Sequence, residues 1–212
     1  MISVMSQNPN RRLFIALPVP HEIQCSMHEA LTMVREKFSD LRFEPPEKLH
    51  LTIKFLGWTD KNASDIAEKL MPIARRTPII PLQTTTLGAF AGTRIVAFIG
   101  LQPYQPLIEL AVKIDDAMVS AGFQEESRSF HPHITLARRT GKTYAHWRET
   151  ARQIKKFPVT DTIRFSADRL ALMESTLTPR GSVYQTIKTL RFMTIEKKCV
   201  TDVDSCLTKT GT

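Results

Sequence analysis

Two short patterns in the sequence could carry acid–base chemistry. His50 is followed two residues later by Thr52, and His133 is followed in the same way by Thr135. Histidine can exchange protons near neutral pH because the pKa of free imidazole is about 6.5. Two imidazoles on opposite sides of a reacting centre can therefore act as general base and general acid. Phosphodiester chemistry requires that division of work, and the threonine hydroxyls could hydrogen-bond the phosphoryl oxygens.

The first pattern lies in a segment that is typical of a half-buried strand. Segment 49–56, LHLTIKFL, alternates apolar and polar residues with a period of two. This alternation places His50, Thr52 and Lys54 on one face and Phe55 on the opposite, apolar face. We therefore expect Phe55 to pack in the core. Lys54 is expected beside the histidine, where its ammonium group could contact a backbone phosphate.

The segments around the two patterns form an internal repeat. Arg12 opens RLFIALPV and Arg94 opens RIVAFIGL, an offset of 82, while the two histidines are offset by 83. An amphipathic helix is predicted inside each repeat, over 21–38 and 106–122. Strand, helix and histidine strand therefore occur twice in the same order, which predicts two similar lobes. An approximate twofold between them would bring the histidine strands face to face.

The remaining segments complete an α+β pattern. The segment from Lys142 to Lys156 is predicted to form a basic helix, which could be an RNA-guiding face or simply a solvated one. Further helices and strands are predicted over 60–76, 79–87, 161–175 and 182–192, the last two flanking the turn 178–181.

Length and composition indicate one folded domain. The chain has 212 residues, with 42% hydrophobic and 24% charged residues, which excludes a fully disordered protein. We expect a single bilobal domain over 11–196, with flexible termini at 1–10 and 197–212. There is no apolar run of about 18 residues, so no membrane span is expected. The first ten residues do not resemble a signal peptide, and the three cysteines are scattered. These features favour a cytoplasmic location.

The net charge and the absence of several known motifs limit the partners and reactions that the sequence predicts. The formal net charge of +8 favours solubility or an anionic partner such as a nucleic acid. His131-Pro132-His133 has the spacing of a metal site, but acidic or cysteine ligands are missing nearby. The sequence also lacks the Gly-x-Ser-x-Gly pattern of serine hydrolases and the phosphate-binding loop of nucleoside triphosphatases. We therefore expect neither a metal nor a cofactor.

Three segments together resemble a known family. RLFIALPVP, LHLTIKFLG and FHPHITLARR are similar to segments of the RNA 2′,3′-cyclic phosphodiesterases, historically called 2′–5′ RNA ligases, in the two-histidine phosphoesterase superfamily. The resemblance runs from about Arg12 to Phe192. It implies a bilobal α+β fold, with two antiparallel sheets and flanking helices around a central cleft. It also implies metal-independent hydrolysis of a terminal 2′,3′-cyclic phosphate to a 2′-phosphate.

The resemblance also implies roles for individual residues. His50 matches the general acid that protonates the departing 3′ oxygen, and His133 matches the general base that activates water. Thr52 and Thr135 match the donors to the phosphate oxygens. Arg138 matches the arginine that follows the second motif in the family. The closing hairpin of the family matches MESTLTPRGSVYQTI.

Strict alternation and the resemblance disagree at one position. If the second histidine strand alternates without interruption, Arg139 rather than Arg138 points towards the cleft. The strand must therefore end or bulge at this point, or Arg138 acts from the rim of the cleft.

Several functions remain open at this stage. The expected partners are RNA ends that carry a 2′,3′-cyclic phosphate, and the expected state is a monomer. The same residues could also catalyse reversible 2′–5′ RNA ligation, because ligation is the reverse of cleaving that bond. The alternatives are a phosphodiesterase for small cyclic nucleotides and a non-catalytic RNA-binding module.

Overall fold

Nine strands and five α-helices make up the part of the chain that the structure describes. The structure is a computed structural model, and it describes residues 10–159, 162–179 and 181–193. The strands are β1 (Arg11–Pro18), β2 (Arg42–Phe43), β3 (His50–Thr59), β4 (Ile80–Ala91), β5 (Arg94–Leu101), β6 (His133–Thr140), β7 (Arg164–Ala167), β8 (Arg169–Thr178) and β9 (Gly181–Arg191). The α-helices are α1 (His21–Ala30), α2 (Thr32–Lys37), α3 (Ala63–Arg76), α4 (Gln105–Val119) and α5 (Tyr144–Lys156).

The strands form one continuous antiparallel sheet with two halves. The order is β7-β4-β5-β6-β3-β1-β8-β9, and β2 also pairs with β6. The halves β7-β4-β5-β6 and β3-β1-β8-β9 are joined by the single residue pair Leu51–Ile134 between β3 and β6. The predicted α+β class is confirmed, and the two predicted sheets are the two halves of this larger sheet.

The strand register repeats between the two halves. Five of the eight residue pairs between β1 and β3 have a counterpart between β5 and β6 at the offsets found in the sequence. The matched pairs are Pro18–His50 with Gly100–His133, Ala16–Thr52 with Phe98–Thr135, and Ile15–Lys54 with Ala97–Ala137. Leu51 and Ile134, which join the halves, are also equivalent residues in antiparallel strands. A local twofold axis between β3 and β6 would produce this arrangement.

The register also shows a β-bulge at the same place in both repeats. Ile53 in β3 and Leu136 in β6 are skipped in the pairing with the neighbouring strand. A bulge adds one residue to a strand and shifts the alternation of faces that follows it. β3 contains a second bulge, at Leu56, followed by Gly57 at φ +75°, a backbone conformation that favours glycine. The residues after the bulges at Ile53 and Leu136 therefore lie on the opposite face from the one that alternation predicts, and the second bulge of β3 reverses this shift from Gly57 onwards.

Helices in the described part of the chain pack against one face of the sheet. In β1, Leu13, Ile15 and Leu17 belong to the main hydrophobic core, whereas Phe14 is buried outside that cluster. Helices α3, α4 and α5 contact the strands and bury apolar side chains in the same core. We call the side of Leu13, Ile15 and Leu17 the core face. The opposite side, which carries both histidines, is the cleft face.

The helices differ from the predicted ones mainly in the first repeat. The segment 21–38 forms two helices because Leu31 leaves helical geometry, although its side chain is buried with the predicted apolar stripe. Caps fix the starts of α3 and α5, where the side chains of Asn62 and Thr143 accept hydrogen bonds from backbone N–H groups. None of the helices in the described part of the chain is long and apolar enough to cross a membrane. The predicted flexible termini lie outside the described residues, apart from Asn10.

Candidate active site

The two histidine–threonine patterns meet at the junction of the two halves. Leu51 and Ile134 pair across β3 and β6, so the residues on either side of this pair are also cross-strand neighbours. His50 therefore lies next to Thr135, and Thr52 lies next to His133, all on the cleft face. We call these four residues the quartet. Its two histidines are diagonal neighbours across the antiparallel strands β3 and β6. The Cα atoms of such neighbours are about 7–8 Å apart. A single phosphate group can bridge that separation.

Each imidazole is held by a backbone carbonyl two residues earlier in the chain. His50 Nδ1 lies 2.7 Å from the carbonyl oxygen of Lys48, and His133 Nδ1 lies 2.6 Å from that of His131. A carbonyl oxygen can only accept, so Nδ1 must be the protonated nitrogen of the neutral ring. Nε2 then keeps its lone pair on both rings. The two histidines are thus prepared in the same tautomer by the same local contact.

Aromatic rings surround His50. The ring centroids of Phe14 and Tyr184 lie 5.1 and 5.2 Å from that of His50, and these two rings also contact each other at 5.3 Å. Burial among them lowers the pKa of His50 from 6.5 to about 4, although the bond to the Lys48 carbonyl opposes this shift. The charges of Arg138 and His133 add smaller shifts in the same direction. His50 is therefore neutral at pH 7 when the site is empty.

A second aromatic cluster surrounds His133. The rings of Phe98 and Phe90 lie 5.0 and 5.4 Å from it, and they contact each other at 4.6 Å. Burial lowers the pKa of His133 below its usual value, the bond to the His131 carbonyl opposes this, and the charge of Arg138 adds to the lowering. A neutral imidazole with its lone pair on Nε2 is suited to accept a proton.

The bulge at Leu136 explains how Arg138 reaches the site. Because Leu136 is skipped, Arg138 pairs with Val96 and shares the cleft face with Thr135. One guanidinium nitrogen lies 3.4 Å from the Thr135 hydroxyl, and another forms a 2.5 Å ion pair with Glu44. The alternative in which the strand bulges is therefore the one observed, and Arg139 is exposed.

The equivalent bulge at Ile53 overturns two predictions from alternation. Lys54 pairs with Ile15 on the core face, so the expected position of Lys54 beside His50 is wrong. Its side chain is 4% exposed, and its ammonium group binds Asp115 of α4 and the carbonyl oxygen of Gln124. Phe55, expected in the core, is 55% exposed on the cleft face. Lys54 therefore connects β3 to α4 and to the loop after it, and it is also one of the residues that line the cavity described below.

A cavity of about 990 Å³ opens above the quartet. Its lining includes Thr52, His133, Thr135 and Arg138, and residues of the loop 124–131 form part of its wall. His50 is not part of this lining. Its ring packs against the aromatic rings of Phe14 and Tyr184. The cavity is large enough for a nucleotide and is bounded by both hydroxyl groups of the quartet.

His131 does not build a metal site with the described residues. Its side chain is exposed, and its ring lies 6.3 Å from that of His133. Within the ranges that the structure describes, no group of three or more histidine, cysteine or acidic side chains is arranged to hold a metal ion. The carbonyl oxygen of His131 orients His133, and His131 also lines the cavity.

Four aromatic residues and one acidic residue around the quartet were not predicted as site residues from the sequence. Phe14, Phe90 and Phe98 read as ordinary apolar residues of strands, and nothing in their spacing marked them as neighbours of the histidines. Glu44 lies in a loop far from Arg138 in the chain. Only Tyr184 had a signal, through the resemblance of its hairpin.

Comparison with known proteins identifies the family. The sequence profile of the 2′-5′ RNA ligase superfamily matches residues 20–178, which is more than half of the chain. The chain therefore belongs to the 2′-5′ RNA ligase superfamily, and the resemblance found in the sequence is confirmed.

Individual relatives support the same assignment. A protein of Methanocaldococcus jannaschii named RNA 2′,3′-cyclic phosphodiesterase is 28% identical over 180 residues, which cover 84% of this chain and 98% of that protein. A protein of Escherichia coli with the same name is 32% identical over 138 residues, 60% of this chain and 72% of its own length. The crystal structure of E. coli LigT complexed with 3′-AMP has a TM-score of 0.68 at 25% identity, covering 87% of this chain and 99% of LigT.

Proposed function

We propose that this protein is an RNA 2′,3′-cyclic phosphodiesterase that opens a terminal 2′,3′-cyclic phosphate and leaves a 2′-phosphate. The observation that carries the proposal is the quartet. It supplies two imidazoles and two hydroxyls on one sheet face, beside a cavity that can hold a nucleotide. The names of the curated relatives support the same substrate class.

In the proposed reaction, His133 acts as the base and His50 as the acid. His133 Nε2 takes a proton from a water molecule as the water oxygen forms a new bond to phosphorus. The bond between phosphorus and the 3′ oxygen breaks, and His50 Nε2 gives a proton to that oxygen. One water is consumed, the 3′ hydroxyl is restored, and the two imidazoles return to their starting states through solvent.

In the proposed reaction, the two threonines and Arg138 stabilise the non-bridging oxygens of the phosphate. In this proposal, the hydroxyls of Thr52 and Thr135 donate hydrogen bonds to the non-bridging phosphoryl oxygens. Arg138, which lies beside Thr135, adds a positive charge to that side of the phosphate. Negative charge on these oxygens grows in the transition state, so such donors stabilise it more than the bound substrate.

The lowered pKa values of the two histidines agree with these acid and base roles only if the bound substrate changes the protonation state of His50. A neutral His133 is ready to act as base, whereas His50 must be protonated to act as acid. With a pKa of about 4, His50 is almost entirely neutral in the empty site at pH 7. The negative charge of the bound phosphate favours its protonated form. We therefore expect His50 to gain its proton as the substrate binds.

The test is end-group analysis of an oligonucleotide that ends in a 2′,3′-cyclic phosphate. The protein is expected to give a 2′-phosphate end. His50→Ala and His133→Ala are each expected to lower the rate on the order of 10²–10⁴-fold. His21→Ala, which removes an exposed histidine of α1, is the matched control and should keep the full rate. Full turnover by both quartet variants would contradict the proposal, and RNA binding without any product would favour the non-catalytic alternative.

A further inference from the structure

Two large aromatic side chains are exposed on the cleft face of β3 beyond the quartet. Phe55 is 55% exposed and Trp58 is 58% exposed. The bulges at Ile53 and Leu56 each add one residue to β3 relative to β1. Thr52, Phe55 and Trp58 consequently share the cleft face: the first bulge moves Phe55 to this face, and the second returns Trp58 to it.

The spacing of these three residues is regular. They pair with Ala16, Phe14 and Arg12, which follow one another at every second position of β1. Two residues of a strand span about 7 Å, so Thr52, Phe55 and Trp58 are separated by about that distance at each step. An extended single strand of RNA advances by about one nucleotide over such a step. The row begins in the quartet, where the cyclic phosphate would be bound.

A basic side chain beside Trp58 favours a nucleic acid on this row. Arg12 lies directly opposite Trp58 on the cleft face, and its guanidinium group is oriented by a 3.1 Å hydrogen bond to the Ser175 hydroxyl. The whole chain carries a formal charge of +8. Aromatic rings interleaved with a basic side chain are the pattern by which proteins bind single strands, through base stacking and phosphate contacts.

We propose that Phe55 and Trp58 form a stacking row for the single-stranded RNA that precedes the cyclic phosphate. The base of the terminal nucleotide stacks on Phe55, the base before it stacks on Trp58, and Arg12 contacts the phosphate of that second nucleotide. This inference rests on the proposed function and adds a substrate preference to it. The preferred substrate is an oligonucleotide rather than a mononucleotide, because only an oligonucleotide reaches Trp58.

The main test compares two substrates with one variant. For Trp58→Ala, kcat/KM on a tetranucleotide with a 2′,3′-cyclic phosphate end is expected to fall on the order of tenfold, the usual effect of losing one stacked base. The same variant should keep the full kcat/KM on a mononucleotide 2′,3′-cyclic phosphate. Trp58→Phe keeps an aromatic ring and should retain most of the activity. Tyr104→Ala, which removes an exposed aromatic residue just before α4, is the control and should change the activity on neither substrate.

Binding measurements keep this inference separate from the proposed function. Trp58 and Trp147 are the two tryptophans of the chain, and Trp147 is fully buried. Binding of a tetranucleotide should therefore quench the fluorescence of the wild-type protein but not that of Trp58→Phe. Arg12→Gln should reduce the slope of log affinity against log salt concentration by about 0.7, the value for one lost phosphate contact on a single strand.

The outcomes distinguish the two claims. A wild-type protein that hydrolyses neither substrate contradicts the proposed function, while the quenching experiment still decides the stacking row. If Trp58→Ala binds and cleaves the tetranucleotide like the wild type, the stacking row is wrong. It is also wrong if Trp58→Ala lowers activity on both substrates equally. A concentration-dependent dimer that Trp58→Ala abolishes, without an effect on RNA, would assign Trp58 to a contact between copies of the chain instead.

Discussion

The depressed pKa of His50 predicts a specific loss of stability in acid. Protonating a histidine that is buried in its neutral form costs free energy in the folded protein but not in the unfolded chain. Below pH 6.5 the unfolded chain therefore binds more protons, so the free energy of unfolding falls as the pH falls. The stabilising contribution is complete above pH 6.5 and is lost progressively as the pH falls towards 4, the folded-state value.

The size of the effect follows from the two pKa values. Values of about 4 in the folded protein and 6.5 in the unfolded chain give a loss of about 2 kcal/mol between pH 7.5 and pH 5.0. His133 has a lowered pKa for the same main reason and adds to the loss in the wild-type protein. Replacing His50 by a residue that does not titrate should remove only the contribution of His50 to this loss of stability.

Urea unfolding at the two pH values measures this difference. The free energy of unfolding of His50→Gln should fall by about 2 kcal/mol less than that of the wild type between pH 7.5 and pH 5.0. Because each protein is compared with itself at the two pH values, the pH-independent effect of the substitution on stability cancels. The control is His21→Gln, an exposed position on α1. The reasoning is refuted if His50→Gln and the wild type lose the same stability over this range.

Three further predictions concern pH, packing and metal. The pH profile of kcat/KM should be bell-shaped with both apparent pKa values below 6.5, because kcat/KM reports the free enzyme. The apparent pKa values of the kcat profile should be higher, since bound phosphate favours the imidazolium form. An apparent pKa well above 7 in the kcat/KM profile would contradict the lowered pKa values of His50 and His133. Lys54→Met should lower the free energy of unfolding by about 3 kcal/mol by leaving Asp115 unpaired, and a double-mutant cycle with Asp115→Asn should show strong coupling rather than additivity. Prolonged treatment with EDTA should leave turnover unchanged; inhibition that one added metal reverses would favour a metal site at His131 and His133.

The elements of the fold could be predicted because they depend on periodicity. β5 spans the predicted residues 94–101, and α5 begins two residues after the predicted start at Lys142. The repeat was visible because both lobes keep the same order of elements at nearly the same offset. The break at Leu31 was not visible, because the apolar stripe of 21–38 continues through it and Leu31 itself stays buried.

The site was only partly predictable, because bulges depend on pairing between strands. The period of two placed His50, Thr52 and their counterparts correctly, since they precede the bulges. It failed for Lys54 and Phe55, which follow the bulge at Ile53. The same displacement in the second repeat brings Arg138 to the cleft face. A bulge inserts one residue without changing the apolar or polar character of its neighbours, so the sequence alone carried no sign of it, apart from the conflict between alternation and resemblance at Arg138.

The most direct test of the central claim uses a substrate that does not need an acid. A cyclic phosphate in which sulfur replaces the bridging 3′ oxygen has a leaving group that departs without protonation. If His50 protonates the leaving group and His133 activates water, the sulfur substrate should restore the single-turnover rate of His50→Ala close to that of the wild type. His133→Ala should stay slow on both substrates. Rescue of His133→Ala instead of His50→Ala, or rescue of neither variant, would contradict the assignment of one proton donor and one proton acceptor to these two histidines.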